Sequence, residues 1–257
     1  MLKAYDEQLR TDAETPGAVS VTRHGPLRLV TFGGGRGFVS YQHLDGADAA
    51  GIEKLVSAAV AHFDADPAIE EVEWKTRGHD HAPGLHETLL RHGFVAEEPE
   101  SIMVGEARLL AVEVPLPDGV GLRAITSEED VRAASIMQDG VFGSPPSEAR
   151  VDGLLRGLAS GETEMWVAEA DGEILSAGRI DMVPDTEFAG IWGGATLEKW
   201  RGRGIYRALT AARARTAIAW GKRYIHSDST EFSRPILERS GLMKVGTTTP
   251  YVRRSPR

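Results

Sequence analysis

Between Lys199 and Arg223 the chain carries eight basic residues and no acidic one, and this run opens on the glycine-broken segment Arg201-Gly202-Arg203-Gly204. The formal charge of the whole chain is -9, so everything outside that run carries -9 - 8 = -17. Before the segment, Phe188 to Leu197 reads as a strand. After it, Ile205, Ala208, Leu209, Ala212, Thr216, Ala219 and Trp220 fall on one face of a helix. A glycine turn between strand and helix lets the main chain approach a ligand without Cβ interference, and the first N–H groups of the helix then donate to a phosphate. A pyrophosphate is the natural guest. The plainer account, a glycine turn before a solvated basic helix face, leaves the segregation of charge unexplained.

Composition narrows the rest. A chain of 257 residues has room for one large domain or two small ones, and with 41% hydrophobic and 26% charged residues it can bury a core. The negative balance argues against a surface built to grip nucleic acid or anionic lipid, so neither is expected as a partner and the anion site must be local. No cysteine is present, which removes disulfides, thiolate metal sites and cysteine nucleophiles together. The N-terminus lacks a signal-like apolar core, and no stretch reaches the roughly 18 apolar residues of a membrane span. A cytoplasmic protein is expected.

Ala107 to Gly119 ends in a Pro-x-Pro-Asp-Gly cluster that favours a turn or linker, and this places a boundary near residue 115, with domains 1–114 and 115–257. In the first part, Leu27 to Phe32 and Gly37 to His43 read as strands, Asp48 to Phe63 as a helix, Glu71 to Thr76 as a strand, and Ser101 to Ala107 as a further strand. Pro83 and Gly93 bracket a second helix. In the other part, Gly121 to Ile125 is a strand, Ser127 starts a helix, and Ser147 to Leu158 is another. Met165 to Glu169, Ile174 to Met182 and Phe188 to Leu197 follow as three strands, the first two joined by the turn Ala170-Asp171-Gly172-Glu173.

The loop is not a nucleotide triphosphate loop, because no G-x-x-x-x-G-K-[ST] string occurs, and it follows four strands rather than the first strand of a βαβ unit. Arg201-Gly202-Arg203-Gly204-Ile205-Tyr206 instead resembles the acyl-coenzyme A loop of the GNAT N-acetyltransferase superfamily, R/Q-x-x-G-x-G/A between a strand and a helix. The first four positions match; Tyr206 stands where the family has a small residue. The resemblance continues in a strand from Tyr224 to Ser227 and a helix ending at Glu238-Arg239-Ser240-Gly241-Leu242, and covers roughly residues 120 to 252.

The resemblance implies an α/β (α+β) fold of tandem GNAT-like domains, each a mixed, mostly antiparallel sheet flanked by helices. It also implies acetyl-CoA as donor, no metal, and transfer to an amine on a small molecule or peptide; an oligomer stays open. Arg201, Gly202, Arg203, Gly204, Ile205 and Tyr206 would hold the pyrophosphate, and backbone amides at Thr196 and Leu197 the thioester arm. Asp228 is the candidate base and His226 the second, although Ser227-Asp228-Ser229-Thr230 also suits a turn. Leu237 occupies the position where many relatives have a tyrosine that protonates the leaving thiolate. Ser229, Ser233 or a water would then substitute, and the rival function is a non-catalytic acyl-CoA-binding regulatory module.

The first half repeats the pattern weakly, with Leu89-Leu90-Arg91-His92-Gly93-Phe94 similar to the family's closing motif, which suggests a degenerate copy without a coenzyme loop. Phe32 to Gly37 lies between strands and reads as a hairpin rather than a phosphate cradle. His79-Asp80-His81 reads as a solvated polar turn. Trp192 and Trp200 are candidates for an acceptor wall, and Arg253 to Arg257 reads as a solvated tail.

Overall fold

The structure is a computed structural model that describes residues 1–255. Two compact units form. One contains Met1–Ile102, Asp228–Glu231 and the chain from Val245 onward; the other contains Met103–Ser227 and Phe232–Lys244. The units interleave along the chain, which a single cut near residue 115 does not describe. Ala107, placed by sequence at the end of a strand, instead begins a short helix within the second unit.

The elements of the first unit begin with α1 (Leu2–Leu9), β1 (Ser20–His24), β2 (Leu27–Phe32), β3 (Arg36–Ser40), α2 (Ala49–Asp64), β4 (Glu71–Arg77), α3 (Leu85–Arg91) and β5 (Val95–Ala96). β1, β2 and β3 are successive antiparallel partners, and β3 runs parallel to β4 across the crossover helix α2. Helix α2 forms because Ile52, Val56, Ala59 and Phe63 recur at helical spacing and bury one stripe against the sheet. Along β4, Val72 and Trp74 face that core while Glu71, Glu73, Lys75 and Arg77 alternate onto the other face. Helix α3 begins at Leu85 behind a left-handed Gly84, two residues later than Pro83 suggests.

The chain continues through β6 (Glu100–Glu106), α4 (Ala107–Leu110), β7 (Gly121–Ile125), α5 (Glu128–Phe142), α6 (Glu148–Ser160), β8 (Thr163–Ala170), β9 (Glu173–Met182), β10 (Phe188–Thr196), α7 (Ile205–Ala219), β11 (Tyr224–Ser229), α8 (Arg234–Ser240) and β12 (Met243–Arg254). In the second unit β7, β8, β9 and β10 are antiparallel neighbours, and β10 is parallel to β11 across α7. The β8–β9 turn has Asp171 and Gly172 both at positive φ, as a tight two-residue hairpin requires. Ser127 and Ser147 cap α5 and α6 through their hydroxyls. Helices α5 and α6 cover one face of the sheet around Val131, Leu154, Met165 and Val167, and α7 and α8 cover the other around Ile191, Ala214, Ala217 and Leu237.

Both units thus contain three consecutive antiparallel strands (β1–β3 and β8–β10), a helical crossover to a parallel strand, then a helix; the second unit adds β7, α5 and α6 before them. The fold is mixed α/β with mostly antiparallel sheets flanked by helices. The expectation of a solvated C-terminal tail is corrected at its start. Arg253 and Arg254 end β12, antiparallel to β4, with Arg253 held by both oxygens of Asp64 at 2.7 and 3.0 Å and Arg254 by Glu71 at 2.9 Å. Pro256 and Arg257 lie outside the described residues.

Candidate functional site

The site is built around the end of β10. Its pairing with β11 runs from Phe188↔Tyr224 to Gly190↔His226, whereas β10 continues to Thr196. Its pairing with β9 is interrupted between Trp192 and Ala195. That bulge places Gly193 at φ +62°, a conformation glycine adopts without strain, and Gln138 of α5 donates to the Gly193 carbonyl at 2.5 Å. Past the bulge, β10 therefore presents an edge on its β11 side.

The chain leaves β10 through a single 3-10 turn at Glu198–Trp200. Trp200 N–H donates to Leu197 O at 2.8 Å and Arg201 N–H to Glu198 O at 3.1 Å. The Arg201 guanidinium then folds back, Nε donating to the Thr196 carbonyl at 3.1 Å. Gly202 and Gly204 both sit at positive φ, +74° and +82°. Gly204 is the N-cap of α7, with no side-chain cap and no acidic residue in the first turn. The amides of Ile205, Tyr206 and Arg207 precede the first intrahelical bond, from Ala208 N–H to Gly204 O at 2.9 Å. A helix start of this kind concentrates partial positive charge, and exposed Arg201, Arg203 and Arg207 add full charges beside it.

The first unit offers the contrast. Its α2 occupies the same place after three antiparallel strands, but Asp48 caps it, Oδ1 accepting from Gly51 N–H at 2.8 Å. A carboxylate already fills the position an anionic ligand would take. Phe32 to Gly37 is the β2–β3 hairpin, away from any helix start.

The sequence-predicted residues separate on inspection. Arg201, Gly202, Arg203 and Gly204 form one exposed loop at the α7 N-terminus, and Ile205 anchors it with a buried side chain. The Leu197 N–H is committed to Leu175 O at 2.9 Å, so its expected role as a thioester donor is corrected. The Thr196 hydroxyl is tied to Ser176 at 2.8 Å. Tyr206 points inward: a Cβ on Gly194 would fall 2.5 Å from its Oη, so the bulky residue at the loop's sixth position is accommodated by a bare glycine on the facing strand. Leu237 is buried in the apolar cluster against which Tyr206 packs. Trp200 lies beneath Arg203, whose guanidinium is 4.9 Å from the ring centroid, and so belongs to the loop; Trp192 stands edge-on to His226 at 5.4 Å.

Asp228 lies in the first unit, its side chain 8% exposed and paired with Lys75 at 2.6 Å. Burial works against the Lys75 charge, but Asp228, with Tyr5 and Glu14, more than offsets it and raises the lysine's pKa. Around this pair lie charges that sequence reasoning missed. Glu14 bonds both Ser40 and Arg77, and Arg10 donates to both oxygens of Asp80 at 2.8 Å each. His79, read as part of a solvated turn, contacts Asp6 at 3.0 Å. No group of three or more metal-ligating side chains occurs among the described residues. No helix among them is long and apolar enough to cross a membrane.

Residues 136–241 match the Acetyltransferase (GNAT) family. A GCN5-related N-acetyltransferase from Kribbella flavida superposes with a TM-score of 0.73 at 16% identity, over 95% of this chain and 94% of that one. A functionally unknown conserved protein from Staphylococcus epidermidis gives 0.70 at 14% identity, over 96% and 98%. A tandem GNAT protein from the clavulanic acid biosynthesis pathway gives 0.66 at 14% identity, over 100% and 95%. These likenesses show the fold. No curated protein matches this sequence.

Proposed function

We propose, from the match of residues 136–241 to the Acetyltransferase (GNAT) family, that this chain moves an acetyl group from acetyl-CoA to an amine. One observation carries the reading: the uncapped α7 N-terminus, fronted by Arg201 to Gly204, beside the open edge of β10. The loop and the amides of Ile205 and Tyr206 take the pyrophosphate, and β10 up to Thr196 takes the pantetheine arm. The neutral amine attacks the thioester carbon, so catalysis rests on placement and on donors to the developing oxyanion.

Asp228 is the proposed base. Its carboxylate is paired with Lys75 at 2.6 Å. Turnover is expected to rise with pH as the acceptor amine becomes neutral. A coenzyme A thioester donor and a chain without cysteine both suit a reducing cytoplasm.

Calorimetry with acetyl-CoA tests the site. Arg201→Ala removes a positive charge and the tether to Thr196, and is expected to weaken binding at least about tenfold, or about 1.4 kcal/mol. Unchanged binding would remove the loop from the site. Thiol release over a panel of amines tests the chemistry: binding without release on any amine would mark a non-catalytic acyl-CoA-binding regulatory module instead.

A further inference from the structure

Leu237 is 1% exposed and serves the core, so helix α8 offers no hydroxyl at that position to a leaving thiolate. The same apolar cluster carries a phenol on the neighbouring helix. Tyr206, in the first turn of α7, is half-buried and lies against the main chain of Gly194, where an added Cβ would meet Oη at 2.5 Å, Cε2 at 2.7 Å and Cζ at 2.9 Å. Gly194 sits in the bulged part of β10, between Trp192 and Thr196, along the edge assigned above to the thioester arm.

Behind the phenol is a second unusual group. Arg213, about two turns further along α7, is 1% exposed. Its hydrogen bonds go to the carbonyls of Leu209 and Arg179 and to the Thr210 hydroxyl, each at 3.3 Å, and none goes to a carboxylate. The guanidinium fits because β9 has Gly178 there, where a Cβ would come within 2.9 Å of Nη1. It lies 5.8 Å from the centroid of the Tyr206 ring. Burial depresses the Arg213 pKa, and the Tyr206 oxygen is the chief influence opposing that shift. A buried cation with only neutral partners is costly, and a phenol that gives up its proton nearby would supply the missing negative charge.

We propose that Tyr206 is the proton donor to the departing coenzyme thiolate, with Arg213 as the positioning residue that holds it. This rests on the acetyl-CoA reading of the loop. The amine nitrogen forms its bond to the acetyl carbon, and the tetrahedral adduct collapses with cleavage of the C–S bond. The electron pair passes to sulfur, and sulfur takes the proton from Tyr206 Oη. The phenolate regains a proton from water, and the proton lost by the amine leaves through its base. The sixth loop position, small in the family pattern, thereby gains a chemical role in this chain.

The test needs no acceptor. Free coenzyme A is titrated on the protein while thiolate absorbance in the ultraviolet is followed, in wild type and in Tyr206→Phe, which keeps the ring and its packing. A donor that stabilises the thiolate lowers the bound thiol's pKa below the free value of about 8.5. The expected difference is about one pH unit between wild type and variant. Once an acceptor is found, kcat of Tyr206→Phe should fall at least about tenfold. An identical thiol titration in the two proteins overturns the assignment of Tyr206 and leaves the loop intact. Failure of wild type to bind coenzyme A overturns the loop reading, and this inference with it.

Discussion

Gly204→Asp is expected to abolish measurable coenzyme binding, with a loss of at least about 100-fold, or about 2.8 kcal/mol. Two effects add. Gly204 sits at φ +82°, which a side chain adopts only with strain of roughly 1–2 kcal/mol. The new carboxylate also stands at the helix N-terminus, competing for the amides of Ile205 and Tyr206 and repelling the pyrophosphate. Asp48 already shows that arrangement at the start of α2. Gly204→Ala separates the two, since it brings the strain without the charge and should bind more tightly than the aspartate variant. Calorimetry on both variants, with circular dichroism to confirm folding, decides the matter. Equal affinity for wild type and Gly204→Asp would mean that the anion does not lie at α7.

Glu14→Gln is expected to cost the first unit roughly 3–5 kcal/mol, because it removes the carboxylate facing Arg77 and leaves a buried guanidinium without its partner. For a protein of this size that corresponds to a drop in Tm on the order of 10 °C. The sign of the pH dependence follows from the carboxyl's pKa. Burial pushes it up, but Arg77, Lys75 and the Ser40 hydroxyl together hold it below its ordinary 4.5. A depressed carboxyl stabilises the fold above its unfolded-state value and loses that contribution as pH falls through the folded one. Wild type should therefore lose stability below about pH 4.5, and Glu14→Gln should show a flatter acid limb there. Chemical denaturation at neutral and acid pH reads both effects; a variant as stable as wild type at pH 7 would show that the pair contributes nothing.

The secondary structure was largely legible because its signals are local. Glu71 to Thr76 alternates within six residues, Ile52 to Phe63 repeats at helical spacing, and Asp171-Gly172 supplies two adjacent positive-φ positions. Helix α1 and strand β1 escaped because Leu2–Leu9 is short and Ser20–His24 is exposed throughout, so neither shows a clear buried period. The length of β12 was hidden by its charged end, Arg253 and Arg254 resembling a tail until Asp64 and Glu71 are seen opposite them.

The glycine-arginine loop was visible in the letters for the same reason: a strand, two glycines, three arginines and a helix face lie within a short run, and main-chain geometry there depends on neighbours only. The charge network was not, because Arg10 meets Asp80 across 70 residues, Glu14 meets Arg77 across 63, and Lys75 meets Asp228 across 153. Nor does the sequence say that Tyr206 turns inward, since that depends on Gly194 of another element leaving room for it. Backbone conformation, that of the Arg201 to Gly204 loop included, was set by residues close in sequence. Which charges are neutralised, and which hydroxyl stands at β10, was decided only when distant segments packed, because pairing and close contact depend on separation in space.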